Sequence, residues 1–104
     1  QEDLAKEVCK KSFAEKVFFC NSGAEATEGV IKIIRKYHHV QGNHKKTKII
    51  VFDNAFHGRS LTGILAGSSE AHREGFLPKP TTNGGFVRIN FNNKKALKNT
   101  QLKN

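Results

Sequence analysis

Apolar and polar positions alternate along the chain in blocks of two different periods. Leu4, Val8 and Cys9 recur at helical spacing among charged neighbours, which predicts an amphipathic helix over residues 2–12. Lys16 to Cys20 is a short run of aromatic and β-branched residues that predicts a strand. A helix is expected from Ser22, with Glu25 three residues on completing a capping box and Val30, Ile33, Ile34 and Tyr37 forming its inward stripe. This helix should stop between His38 and Gly42.

Lys48 to Asp53 is a continuous apolar run, the signature of a strand covered on both faces in a parallel sheet. Asn54 to Gly58 reads as a loop, and Ser60 to Ser68 as a short helix weakened by glycine. Residues 70–85 contain Gly75, Pro78, Pro80 and Asn-Gly-Gly, which predicts an irregular connection. Phe86 to Phe91 alternates as a further strand, and the Lys/Asn-rich stretch from Asn92 onward is weakly helical at best. Strand and helix in alternation predict an α/β fold.

The length of 104 residues suits one small domain. A hydrophobic fraction of 37% and a mean hydropathy of -0.55 imply a modest core. No apolar run approaches the roughly 20 residues of a membrane span, and no charged-then-apolar leader opens the chain, so a cytoplasmic location is expected. The chain starts at Gln1 and contains no Met, which suggests a processed product or a piece of a longer one. Cys9 and Cys20 lack metal-site spacing and read as reduced structural thiols.

A formal charge of +9 raises the possibility of nucleic-acid binding. The distribution argues against it: 14 of the 18 basic residues are Lys, and the longest clusters are pairs such as Lys45-Lys46. Arg, the residue that forks onto phosphate and stacks on bases, occurs four times. A solvated basic surface is the expectation.

Two junctions carry the candidate chemistry. Asn21-Ser22-Gly23-Ala24 lies between a strand signal and a helix start, where free N–H groups and the helix dipole favour a phosphate. An ordinary N-cap with a tight turn accounts for the same residues. Neither the Walker spacing nor GxGxxG occurs, so neither a nucleoside triphosphate nor a dinucleotide is indicated. Asp53-Asn-Ala-Phe-His-Gly-Arg-Ser60 follows the next strand and would put Phe56, His57 and Arg59 on the same sheet edge. An aromatic face, an arginine fork and an anion-binding helix terminus together suit a flat aromatic cofactor with a phosphate and a carboxylate substrate. Taken singly, Phe56 also fits a core position, His57 a structural histidine and Arg59 a surface charge.

The stretches FFCNSGAEATEGVIKIIRKY, KIIVFDNAFHGRSLTG and EGFLPKP, in this order, resemble the class III pyridoxal-phosphate aminotransferases, and among them the acetylornithine/succinyldiaminopimelate aminotransferases most closely. The likeness runs from about Leu4 to Phe91, with 33 residues separating Gly23 from Phe56. It implies an aspartate-aminotransferase-like, fold type I large domain with a mostly parallel sheet, of which residues 1–91 are a part and residues 92–104 a weakly structured tail. It implies pyridoxal 5'-phosphate as cofactor, held through its phosphate by Ser22, Gly23 and Ala24 and stacked by Phe56. Arg59 then takes a carboxylate of the amino-acid or 2-oxoacid substrate. His57 and Gly58 shape the turn, and Glu25 and Glu28 are assigned to helix capping. The family reaction is transfer of the δ-amino group of N-acetylornithine to 2-oxoglutarate in arginine biosynthesis, in a homodimer with no membrane or nucleic-acid partner.

The departures from the family pattern are specific. The Asp-Glu segment, the Gly-Arg-Thr-Gly stretch and the Schiff-base lysine in its family context do not occur, so no catalytic lysine is assigned. These 104 residues alone are therefore expected to be inactive, and to be poorly soluble or partly unfolded through exposed strand edges and apolar faces. The resemblance does not separate acetylornithine from ornithine, succinylornithine or 4-aminobutyrate as amino donor.

Overall fold

The computed structural model describes residues 1–77 and 83–102. Four helices and two strands follow one another as α1 (Glu2–Lys11), α2 (Gly23–Val40), β1 (Ile49–Phe52), α3 (Leu61–Ala66), β2 (Phe86–Ile89) and α4 (Lys94–Leu102). The two strands pair in parallel, with Ile49 opposite Phe86 and Phe52 opposite Ile89. Parallel strands need a crossover, and α3 lies within it. The ladder is extended at both ends, where Ile49 N donates to Gly85 O and Asp53 N donates to Ile89 O. The α/β architecture read from the sequence is thus present. Pro78, Pro80 and the rest of 78–82 in the expected irregular connection lie outside the described residues.

The core is small and sits where α2 and α3 meet the strand pair. Ile31, Val51, Ala66 and Phe86 form its buried cluster, with Ile49 and Leu65 packed against it. Only Val51 of β1 is buried and its neighbours are half-buried, so β1 is less enclosed than its unbroken apolar run predicts. Among the described residues the sheet has two strands, which leaves each strand one open edge.

Three local expectations change in the folded chain. Residues 16–20 are not a strand: they make no ladder, although Val17 and Phe19 are half-buried and Lys16, Phe18 and Cys20 exposed, the alternation of an extended segment without a partner. The inward face of α2 is not Val30, Ile33, Ile34 and Tyr37. Ile31 is 7% exposed and Ile33 60% exposed, and the face turned inward runs through Ala24, Thr27, Glu28, Ile31 and His38. The apolar residues of α2 spread over two neighbouring stripes, and packing against Val51 and Phe86 selects the one containing Ile31. Finally, Lys94–Leu102 forms a helix, because the Asn93 side chain accepts from Ala96 N at 2.9 Å and satisfies one of its first free N–H groups.

At the N-terminal end, α1 carries Glu2–Lys6 and Glu7–Lys11 pairs one turn apart, each exposed and worth a few tenths of a kcal/mol at most. Both cysteines are free, Cys9 half-buried and Cys20 exposed.

Candidate functional site

The start of α2 is built as its sequence dictates. Ser22 has extended backbone geometry and its hydroxyl accepts from Glu25 N at 3.2 Å. The Glu25 carboxylate reaches back to accept from Asn21 N at 2.8 Å, closing the box one residue earlier than the usual N-cap amide. The first N–H groups of a helix have no intrahelical acceptor, so those of Gly23 and Ala24 remain available. A side chain at Gly23 would meet no atom within 4 Å, and the approach to these amides is open.

The second junction folds directly onto the first. Gly58 has φ +95, a left-handed conformation that glycine adopts without cost, and a Cβ there would lie 3.4 Å from both Cα and Cβ of Ala24. Residues 32 positions apart then join: the Ser60 hydroxyl donates to the Glu28 carboxylate at 2.6 Å. The same Ser60 oxygen accepts from Gly63 N at 3.2 Å and so caps α3. Glu28 is therefore a cross-link between the two junctions, and only Glu25 has the capping role expected of both. Gly63 is the third element of the arrangement. A Cβ there would come within 2.7 Å of His57 O and 2.9 Å of Gly58 O, so only glycine lets α3 approach the turn this closely.

Phe56 and Arg59 flank this contact. The Phe56 ring is 66% exposed, and its one described ring neighbour is His72, edge-on with centroids 6.3 Å apart. The core alternative for Phe56 is thereby excluded. Arg59 is exposed and forms no ion pair among the described residues. His57 is half-buried, and its Nε2 is buried without a hydrogen-bond partner. A cleft of about 430 Å³ is lined by Asn54, Phe56, His57, Ser68 and His72 among others. Ser22, Gly23, Ala24 and Arg59 do not line it. The cleft therefore does not bring Phe56 together with Ser22, Gly23 and Ala24.

The strand ends that carry these loops are fastened from below. Arg88 of β2 donates to Leu65 O at 3.2 Å and to Gly67 O, and its Nε lies 3.6 Å from Asp53 Oδ1 at the end of β1. Asn54 then turns with φ 62, its N–H held by the Ser68 hydroxyl at 2.9 Å. Ser60 is the expected start of the short helix, but its bond to Glu28 and the parts played by Ser68 and Arg88 follow only from the fold. Only Ser60 carries a sequence signal, a hydroxyl just before the short helical run LTGILA. No group of three or more metal-ligating side chains occurs, and no helix is long and apolar enough to cross a membrane, among the described residues.

Comparison with known proteins places this geometry in a wider context. The class-III aminotransferase family model matches residues 1–104. An acetylornithine aminotransferase of Agrobacterium fabrum is 49% identical over 98 residues, 94% of this chain and 24% of that protein. A succinylornithine transaminase of Salmonella paratyphi B is 51% identical over 78 residues, 74% of this chain and 19% of that protein. Among solved structures, an ornithine aminotransferase of Toxoplasma gondii superposes with a TM-score of 0.83 at 25% identity, over 95% of this chain and 23% of that one. That structure holds pyridoxal phosphate at partial occupancy in its active site. The chain therefore spans about a quarter of the length of the curated relatives it matches.

Proposed function

The chain belongs to the class-III aminotransferases, and on that premise we propose that it supplies the phosphate- and ring-holding part of a pyridoxal 5'-phosphate site in a transaminase. The observation that supports this reading is the contact of Gly58 with Ala24, which joins the turn carrying the exposed Phe56 and Arg59 to the start of α2. The residues fit the group. Gly23 and Ala24 present free N–H donors at the positive end of α2, Ser22 adds a hydroxyl, and nothing blocks a phosphate at Gly23.

When bound, pyridoxal phosphate supplies the electron sink for amino-group transfer. The chain's own residues hold and orient. Ser22, Gly23 and Ala24 would hold the phosphate, and Phe56 would stack against the ring. Arg59 takes a substrate carboxylate through its guanidinium fork. The Ser60–Glu28 hydrogen bond ties the 56–59 turn to α2.

The substrate pair proposed is N-acetylornithine and 2-oxoglutarate, after the relatives named acetylornithine aminotransferase. The 104 residues hold no Asp-Glu segment or Schiff-base lysine in family context, so on this reading they bind the cofactor without turning it over.

Equilibrium dialysis of the full chain with pyridoxal 5'-phosphate and with pyridoxal tests the assignment. Retention of the phosphorylated form, reduced at least tenfold by Gly23→Leu and by Phe56→Ala, is the expected result. Equal retention of both forms, insensitive to these changes, overturns it. Absence of transamination between N-acetylornithine and 2-oxoglutarate by the 104 residues is the second expectation, and turnover by them would refute the holding-only reading.

A further inference from the structure

A second concave face lies toward the opposite end of α2. At 1.5 Å per residue, Lys36 is about 20 Å along the helix axis from Gly23. Lys32, Arg35, Lys36 and His39 recur there at i, i+3, i+4 and i+7, on one face of the helix. His44 and Lys46 of the connection to β1 line the other wall, and Gly84 and Gly85 the floor, of a cleft of about 670 Å³. No carboxylate lines it among the described residues.

The walls are held in place. The Arg35 guanidinium donates to Gly84 O and lies 5.6 Å from the Phe86 ring centroid, which ties α2 to the start of β2. The His39 and His44 rings meet edge to face at 5.1 Å, holding the connection against the helix. Lys32, Lys36 and Lys46 form no ion pair among the described residues. The Tyr37, His38 and His39 carbonyls at the end of the helix accept from Gln41, Asn43 and Gly42 N–H groups and so are not free to pair with these lysines.

We propose that this cleft binds a small multivalent phosphate of di- or triphosphate size. Unpaired cations gathered on both walls of a concavity repel one another until an anion enters, and a compact polyanion reaches both walls at once. The shape favours a small ligand over nucleic acid. The basic residues gather around one short cleft, and among the described residues no Phe, Tyr or Trp lines it to stack a base. The site lies away from Ser22–Ala24 and does not depend on the cofactor reading.

Isothermal titration of the full chain with inorganic tripolyphosphate tests it. Saturable binding at one site is expected, weakened roughly tenfold by Lys32→Gln with Lys36→Gln and about threefold by Lys46→Gln alone, since each close charge contact in water changes affinity several-fold. Lys6→Gln with Lys10→Gln on α1 removes the same charge elsewhere and should change it less than twofold. Gln is a comparable helix former, so α2 should persist in the double variant, and Lys46→Gln tests the site from outside any helix. Three outcomes overturn the proposal: no saturable binding, equal loss from the α1 and α2 variants, or preference for single-stranded oligonucleotides with affinity that rises with their length.

Discussion

The Ser60 hydroxyl donates to the Glu28 carboxylate at 2.6 Å while its oxygen also accepts from Gly63 N at 3.2 Å. One side chain thus starts α3 and fastens the 56–59 turn to α2. Ser60→Ala should cost about 1–2 kcal/mol, the loss of an N-cap plus a charge-assisted hydrogen bond. Urea unfolding of Ser60→Ala, Glu28→Ala and the double variant should give a coupling energy of about 1 kcal/mol, and strict additivity would show that the pair does not interact.

Two helical glycines should respond in opposite directions. Gly63→Ala drives a methyl group into His57 O and Gly58 O, both backbone atoms that cannot swing aside, and should destabilise by roughly 1–3 kcal/mol. Gly29→Ala places its methyl group where nothing lies within 4 Å and should stabilise α2 by about 0.5–1 kcal/mol. Thermal melts of the two variants compare the predictions directly.

Ser22 has two roles that substitution can separate. Asp is as good an N-cap as Ser, so Ser22→Asp should keep the stability of α2 within about 0.5 kcal/mol. Its carboxylate would repel a phosphate at Gly23 and Ala24, and pyridoxal 5'-phosphate retention should fall at least tenfold. Unchanged retention would move the phosphate away from this helix start.

Phe56 and Arg59 are exposed, so their removal should leave unfolding within about 0.5 kcal/mol of the parent chain. Phe56→Ala should weaken retention of pyridoxal 5'-phosphate by dialysis. Arg59→Gln should leave cofactor retention within twofold and weaken 2-oxoglutarate binding to the loaded protein. Equal effects of both variants on both ligands would contradict the division between ring and carboxylate.

Local chemistry was legible in the residues themselves. The cap at Ser22 and Glu25 and the helix start at Ser60 depend on groups within four residues of one another, the two paired strands on one unbroken apolar run and one alternating run, and these elements lie where the pattern puts them. The Asn93 cap of α4 obeys the same rule, though the Lys/Asn-rich composition around it conceals the helix. Tertiary structure decided what local pattern leaves open. α2 offers two apolar stripes, and only packing on Val51 and Phe86 turns Ile31 inward and leaves Ile33 outside. Residues 16–20 have the composition of a strand, but a strand exists only where another backbone completes its hydrogen bonds. Glu28 meets Ser60, and Ala24 meets Gly58, across more than thirty residues of chain, because the parallel pairing of β1 and β2 and the close approach allowed by Gly63 fix where the turn after β1 can lie.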